Sequence, residues 1–162
     1  MKLAVTLLAA LLVATGARAA DPVYLDQLIE TPVATLEAQF GQMKREGCFQ
    51  TGPNQFLLMT IDKKDRKPWR VVISSIEPCK KPLPGPQIEI GHRSGIHLGD
   101  KTMAVVERLG RPDAAAAPDV ALKKLGETEY FYICRVEAGC ARHTSVLMRE
   151  GVVTAIAEWY SE

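Results

Sequence analysis

The stretch "GIHLGDKTMAVVERLGRPD", residues 95–113, is punctuated at both ends. Gly95 and Gly99 allow tight backbone on entry, and Asp100 stands where a helix cap is expected. Gly110 and Pro112 end the run. Between them Met103, Val106 and Leu109, helped by Val105, form an apolar stripe at helical spacing. Each residue type has a structural task and none is left over for chemistry, so the stretch reads as a packing module.

A fainter copy lies upstream. In "IETPVATLEAQFG", residues 29–41, Thr31 is the expected cap, Pro32 the first helical residue and Gly41 the stop. Val33, Leu36 and Phe40 supply its stripe, and aligning Ile29 with Leu98 matches cap with cap and stop with stop. Neither helix has the Glu or Gln of a full capping box. Short β-branched and aromatic runs follow each helix: 56–61 and 69–76 in the first half, then 130–136, 145–149 and 152–159. Glu150-Gly151 fits a tight hairpin turn, and "QIEIG" (87–91) a short strand. Between the halves, "CKKPLPGP" (79–86) holds three of the ten prolines and reads as an extended connector. The order predicts an α+β fold of two tandem α/β units, each with helices packed on one face of an antiparallel sheet. The units would span 20–78 and 87–162, with 79–86 as a Pro-rich linker.

Residues 1–19 have the form of a secretory signal peptide: Lys2, an apolar run from Leu3 to Ala14, and a small-x-small site at Ala17-Arg18-Ala19. The apolar run is short for a membrane span, and no cysteine follows it to carry a lipid anchor. Removing Lys2 and Arg18 leaves 18 basic against 19 acidic residues, a net charge of −1. That balance gives no reason to expect nucleic acid or an anionic membrane as partner. Cys48, Cys79, Cys134 and Cys140 all survive cleavage, and an even count in an exported chain points to disulfides. Of the three pairings, Cys48–Cys79 with Cys134–Cys140 keeps each bond within one half. A zinc or redox site is the alternative, though neither spacing is C-x-x-C.

With the aromatic strand "YFYIC" and the hairpin "VLMREGVVTAIAEW", the 95–113 module resembles the SmpA/OmlA (BamE-like) family of small outer-membrane lipoproteins. The same unit in tandem resembles the beta-lactamase inhibitory protein fold. The first resemblance covers about residues 95–159, with 28–76 as a degenerate copy. Both families act by binding other proteins, which the resemblance implies here as well. The lipid anchor of SmpA/OmlA proteins has no counterpart in this sequence.

His92 and His97 flank a glycine loop and His143 follows Cys140, a spacing that fits no familiar zinc site, so no metal or cofactor is expected. "GCARH" offers Cys140 as nucleophile and His143 as base, but no protease, esterase or P-loop signature surrounds it. "KKDRKP" (63–68) reads as a solvated hairpin loop. Tyr130 and Tyr132 share one side of a strand, Phe131 and Ile133 the other, and Trp69 and Trp159 occupy corresponding places in the two halves. With Phe131 and Ile133 under the helix, the two tyrosines and two tryptophans would make an open sheet face suited to a protein partner. The expectation is thus a non-enzymatic, periplasmic or secreted protein that binds another protein in the cell envelope. A small-ligand or metal-binding protein and a hydrolase are the alternatives.

Overall fold

A computed structural model describes residues 22–133 and 142–160. In the first half the chain runs β1 (Val23–Tyr24), α1 (Leu25–Glu30), α2 (Val33–Phe40), β2 (Glu46–Gly52), β3 (Gln55–Ile61) and β4 (Pro68–Ser74). It continues as β5 (Leu83–Pro84), β6 (Ile90–Gly91), α3 (Thr102–Leu109), β7 (Ala114–Ala116), β8 (Thr128–Ile133), β9 (Arg142–Arg149) and β10 (Val152–Tyr160). β1 and β6 form a small parallel pair.

The expectation of two α/β units is overturned. The molecule is mostly sheet, and eight strands form one mixed sheet in the order β5-β2-β3-β4-β10-β9-β8-β7. The join is β4 against β10, antiparallel, with Ala155 opposite Ser74 and Trp159 opposite Arg70. The reason lies in the two strands. Val71 to Ser74 and Ala155 to Glu158 are buried without a break, so both faces of each strand are covered. Left as edges, they would expose a row of unpaired amides and carbonyls beside apolar side chains. Pairing them satisfies both demands. The Pro-rich segment also joins the sheet, since Leu83 and Pro84 lie parallel to Phe49 and Gln50 of β2.

One face of the sheet carries all three helices. Leu25, Leu28, Ile29, Val33, Leu36 and Phe40 from α1 and α2 share a core with Phe49, Leu57, Met59, Val71 and Ile73. Val105 of α3 meets Val146, Met148 and Tyr132 in the same cluster. The α2 stripe is buried as expected, but the α3 stripe is rotated. Val105 is inside and Leu109 packs against the core, while Met103 is 69% exposed.

The caps differ as well. The Thr31 hydroxyl donates to the Gln27 carbonyl at 2.6 Å, so it closes α1 and leaves Pro32 at the cap of α2. Lys101 holds the cap position of α3. Asp100 instead accepts the His97 amide at 2.9 Å and the Arg108 guanidinium at 2.6 Å. Arg108 also donates to the Gly95 carbonyl at 2.6 Å, tying the module's entry to its helix.

The opposite face is covered over only part of its area. Leu122 and Leu125, from a one-turn segment fastened by the Leu122 amide on Asp119, sit on Leu58, Val72, Leu147, Ala155 and Ala157. Gly126 brings this segment down onto β9, where a Cβ would stand 2.9 Å from that of Leu147 and 3.1 Å from the Met148 nitrogen. Only glycine fits that approach. The Glu150-Gly151 hairpin forms with φ of 51° and 73°, the left-handed pair a tight two-residue turn requires.

Candidate functional site

Beyond Leu122, Leu125 and the flanking Ile76 and Cys48, no described helix lies on this second face. One register row crosses it: Thr60 opposite Arg70, Arg70 opposite Trp159, Trp159 opposite His143 and His143 opposite Ile133. Alternation puts all five side chains on the side away from the helices. Phe131, one row along, stacks on His143 with ring centroids 5.2 Å apart and on Trp159 at 5.7 Å. Its cross-strand neighbours in that row, Ser145 and Ala157, are small and leave room for the ladder. Ile133 at the end is 47% exposed. Thr60 Oγ1, Arg70 Nε and His143 Nδ1 on the same row are enclosed without a hydrogen-bond partner among the described residues.

The expected facing of β8 is therefore reversed. Tyr132 is only 7% exposed in the helix-side core, and Tyr130 packs against that core too. The Tyr132 hydroxyl donates to the Gly110 carbonyl at 3.4 Å. Burial, followed by the nearby Tyr130 and Asp113, pushes its phenol up to about 12. Both tyrosines thus leave the predicted binding surface, and Phe131 and Ile133 take their place.

The two tryptophans do come together. A register shift between Thr60 and Ile61 leaves Trp69 as an extra, unopposed residue on β4, a bulge that re-aims its side chain. Trp69, Trp159 and Tyr160 line one cleft of about 680 Å³ at this end of the sheet. Ile29 and Glu30 from the end of α1 form one wall and the β3–β4 hairpin the other. In that hairpin Asp62 Oδ1 accepts the amides of Lys64 at 2.7 Å and Asp65 at 2.9 Å. Those bonds, Asp65 first, hold the Asp62 carboxyl below its ordinary value. The basic run 63–67 is exposed, as a hairpin loop should be.

The three histidines lie in three places. His97 is exposed beside Asp100 at 3.8 Å, and His143 belongs to the aromatic ladder. His92 is buried on the helix side, with Nε2 3.1 Å from Glu158 and Nδ1 2.7 Å from the Ser94 hydroxyl. No sequence signal marked this Ser94–His92–Glu158 line, because Glu158 is distant in the chain. It has the order of a hydrolase relay, but its own loop leaves no amide free to form an oxyanion hole. The amides of Ser94, Gly95, Ile96 and His97 are all bound within the loop, to His92 Nδ1, the His92 carbonyl, Ser94 Oγ and Asp100. The line latches loop 92–96 to β10.

Cys48 and Cys79 are disulfide-bonded, tying β2 to the segment before β5. Cys134 and Cys140, with the nucleophile reading of Cys140, lie outside the described residues. Among the described residues no group of three His, Cys, Asp or Glu is placed to hold a metal ion. Among the same residues no helix is long and apolar enough to cross a membrane.

No protein-family model and no curated protein sequence matches the chain. A similar fold occurs in the crystal structure of a DUF4309 family protein (YjgB) from Bacillus subtilis subsp. subtilis str. 168. That likeness has a TM-score of 0.50 at 10% identity, over 82% of this chain and 80% of that one. At that identity it is a likeness of fold.

Proposed function

We propose that this is an exported, non-enzymatic protein that binds another protein of the cell envelope through the open half of its sheet. The observation that carries the reading is the Phe131–His143–Trp159 ladder ending in Ile133, on a face otherwise closed by Leu122 and Leu125. Aromatic side chains held rigid by their neighbours supply large contact area at little entropic cost. The signal-like residues 1–19 and the Cys48–Cys79 bond support export to the periplasm or beyond. The resemblance of residues 95–113 to SmpA/OmlA proteins points the same way.

Site-specific photo-cross-linking tests this. A photoreactive residue at position 133 should give a discrete protein adduct in envelope extracts of the source organism. The same residue at Leu83, which is exposed on the far edge of the sheet, should give none. Equal labelling from both positions, or none from 133, would overturn the proposal.

A further inference from the structure

We propose that the cleft at the tryptophan end takes a cation, the guanidinium of an arginine side chain presented by the partner protein. This rests on the reading above, because Trp159 belongs both to the open-face ladder and to the cleft wall. The inference concerns what the neighbouring cleft selects.

Two kinds of group converge there. Trp69, Trp159 and Tyr160 present aromatic rings, whose faces attract cations. Glu30, Asp62 and Asp65 bring three carboxylates against the ammonium of Lys67 and the Arg70 guanidinium beside Trp69, so the lining keeps an excess of acid although the whole chain is nearly neutral. Asp62 is fixed as an anion by the turn amides it accepts. The molecule already shows the preferred pairing, since the Arg70 guanidinium lies 4.9 Å from the centre of a Trp69 ring. A planar guanidinium can lie on an indole while its edge donates two hydrogen bonds to a carboxylate, which an ammonium cannot match. Lys67 and Arg70 are then the resident cations that an incoming one must oppose.

The chain has only two tryptophans, so two indole N–H signals report on the cleft by NMR. The oxidised protein is titrated with N-acetylarginine amide and with its neutral isostere N-acetylcitrulline amide. The arginine probe should move both indole signals saturably, and citrulline should bind about tenfold more weakly. Glu30→Gln combined with Asp65→Asn should weaken arginine about tenfold while the remaining amide spectrum keeps its pattern. Lys67→Gln should tighten arginine by about threefold. Equal affinity for the two probes, indole signals that stay still, or indifference to the carboxylate changes would overturn the proposal. The cross-linking experiment separates the two readings. A protein adduct from position 133 with no arginine response sinks only the cation cleft. An arginine response with no adduct sinks the protein partner, and with it the assignment of the arginine to a protein.

Discussion

The two faces of the large sheet are made by the same strands and meet opposite fates. On one, three short helices bury every apolar side chain they reach, from Phe49 and Leu57 in the first half to Val146 and Tyr132 in the second. On the other, Leu122 and Leu125, flanked by Ile76 and Cys48, cover one part, and Trp159 at its margin continues into a ladder with Phe131 and His143 that ends at the half-exposed Ile133. The lesson concerns where function resides in such a sheet. A strand residue next to a helix is committed to stability, while its neighbour in sequence, pointing the other way, is free for contact with a partner. Substitutions that separate the two faces can break this division or sharpen it.

The largest effect belongs to the covered face. Phe49 is fully buried and meets Phe40 with ring centroids 5.2 Å apart. Phe49→Ala should cost about 3–5 kcal/mol in urea unfolding, through lost burial and the cavity left behind. A cost under about 1 kcal/mol would show that the helix-side core is loose. The disulfide comes next. Cys48–Cys79 closes a loop with a sequence separation of 31, for which the chain-entropy relation gives about 3–4 kcal/mol. The double change Cys48→Ser with Cys79→Ser should lower stability by that order in urea unfolding.

Tyr132 and Ile133 make the sharpest pair, adjacent in sequence and opposite in fate. Tyr132→Ala should destabilise by about 3 kcal/mol, as for a core residue. The phenol also gives the covered face a pH signature. Its folded value of about 12 lies above the ordinary 10, so the folded state holds this proton more tightly than the unfolded chain does. The contribution is whole below about pH 10 and is lost as pH rises toward about 12. Urea midpoints compared at about pH 9 and about pH 11 should fall for the natural chain, and by less for Tyr132→Phe. An unchanged pH slope in Tyr132→Phe would place that phenol in water.

What was legible in the sequence was local. Pro32, the stripe Val33, Leu36 and Phe40, and the stop at Gly41 mark a helix because caps and periodicity act within a few residues. The Glu150-Gly151 hairpin is legible for the same reason. The single sheet was not, because Ser74 meets the Thr154 carbonyl across 80 residues of chain. The hint was present in "RVVIS" and "TAIAE", which lack the clean alternation of a half-exposed strand. The facing of β8 was undecidable locally, since Tyr, Phe, Tyr and Ile offer apolar surface on both sides. β2 was hidden by its composition, "EGCFQTG", where only Phe49 and Thr51 read as strand. The cleft was half legible. Trp69 and Trp159 stand at corresponding places in the sequence, but the bulge that aims Trp69 depends on the register of β3.

The smallest expected effect on stability is the one that matters most for function. Ile133 ends the ladder with 47% of its surface in water, and its neighbours on the row are His143 and, beyond it, Trp159. Ile133→Ser removes an apolar group that the fold has not enclosed, so unfolding should shift by no more than about 0.5 kcal/mol. Removing an anchor from the centre of a protein interface has a different scale, about 2 kcal/mol or roughly thirtyfold in affinity. Both quantities are measurable on one sample, by urea unfolding and by titration with whichever protein cross-links to position 133. A stable Ile133→Ser chain with weakened binding puts the partner on the open face. A chain that unfolds as early as Tyr132→Ala would mean that this face is closed after all, and the division between the two faces would fail with it.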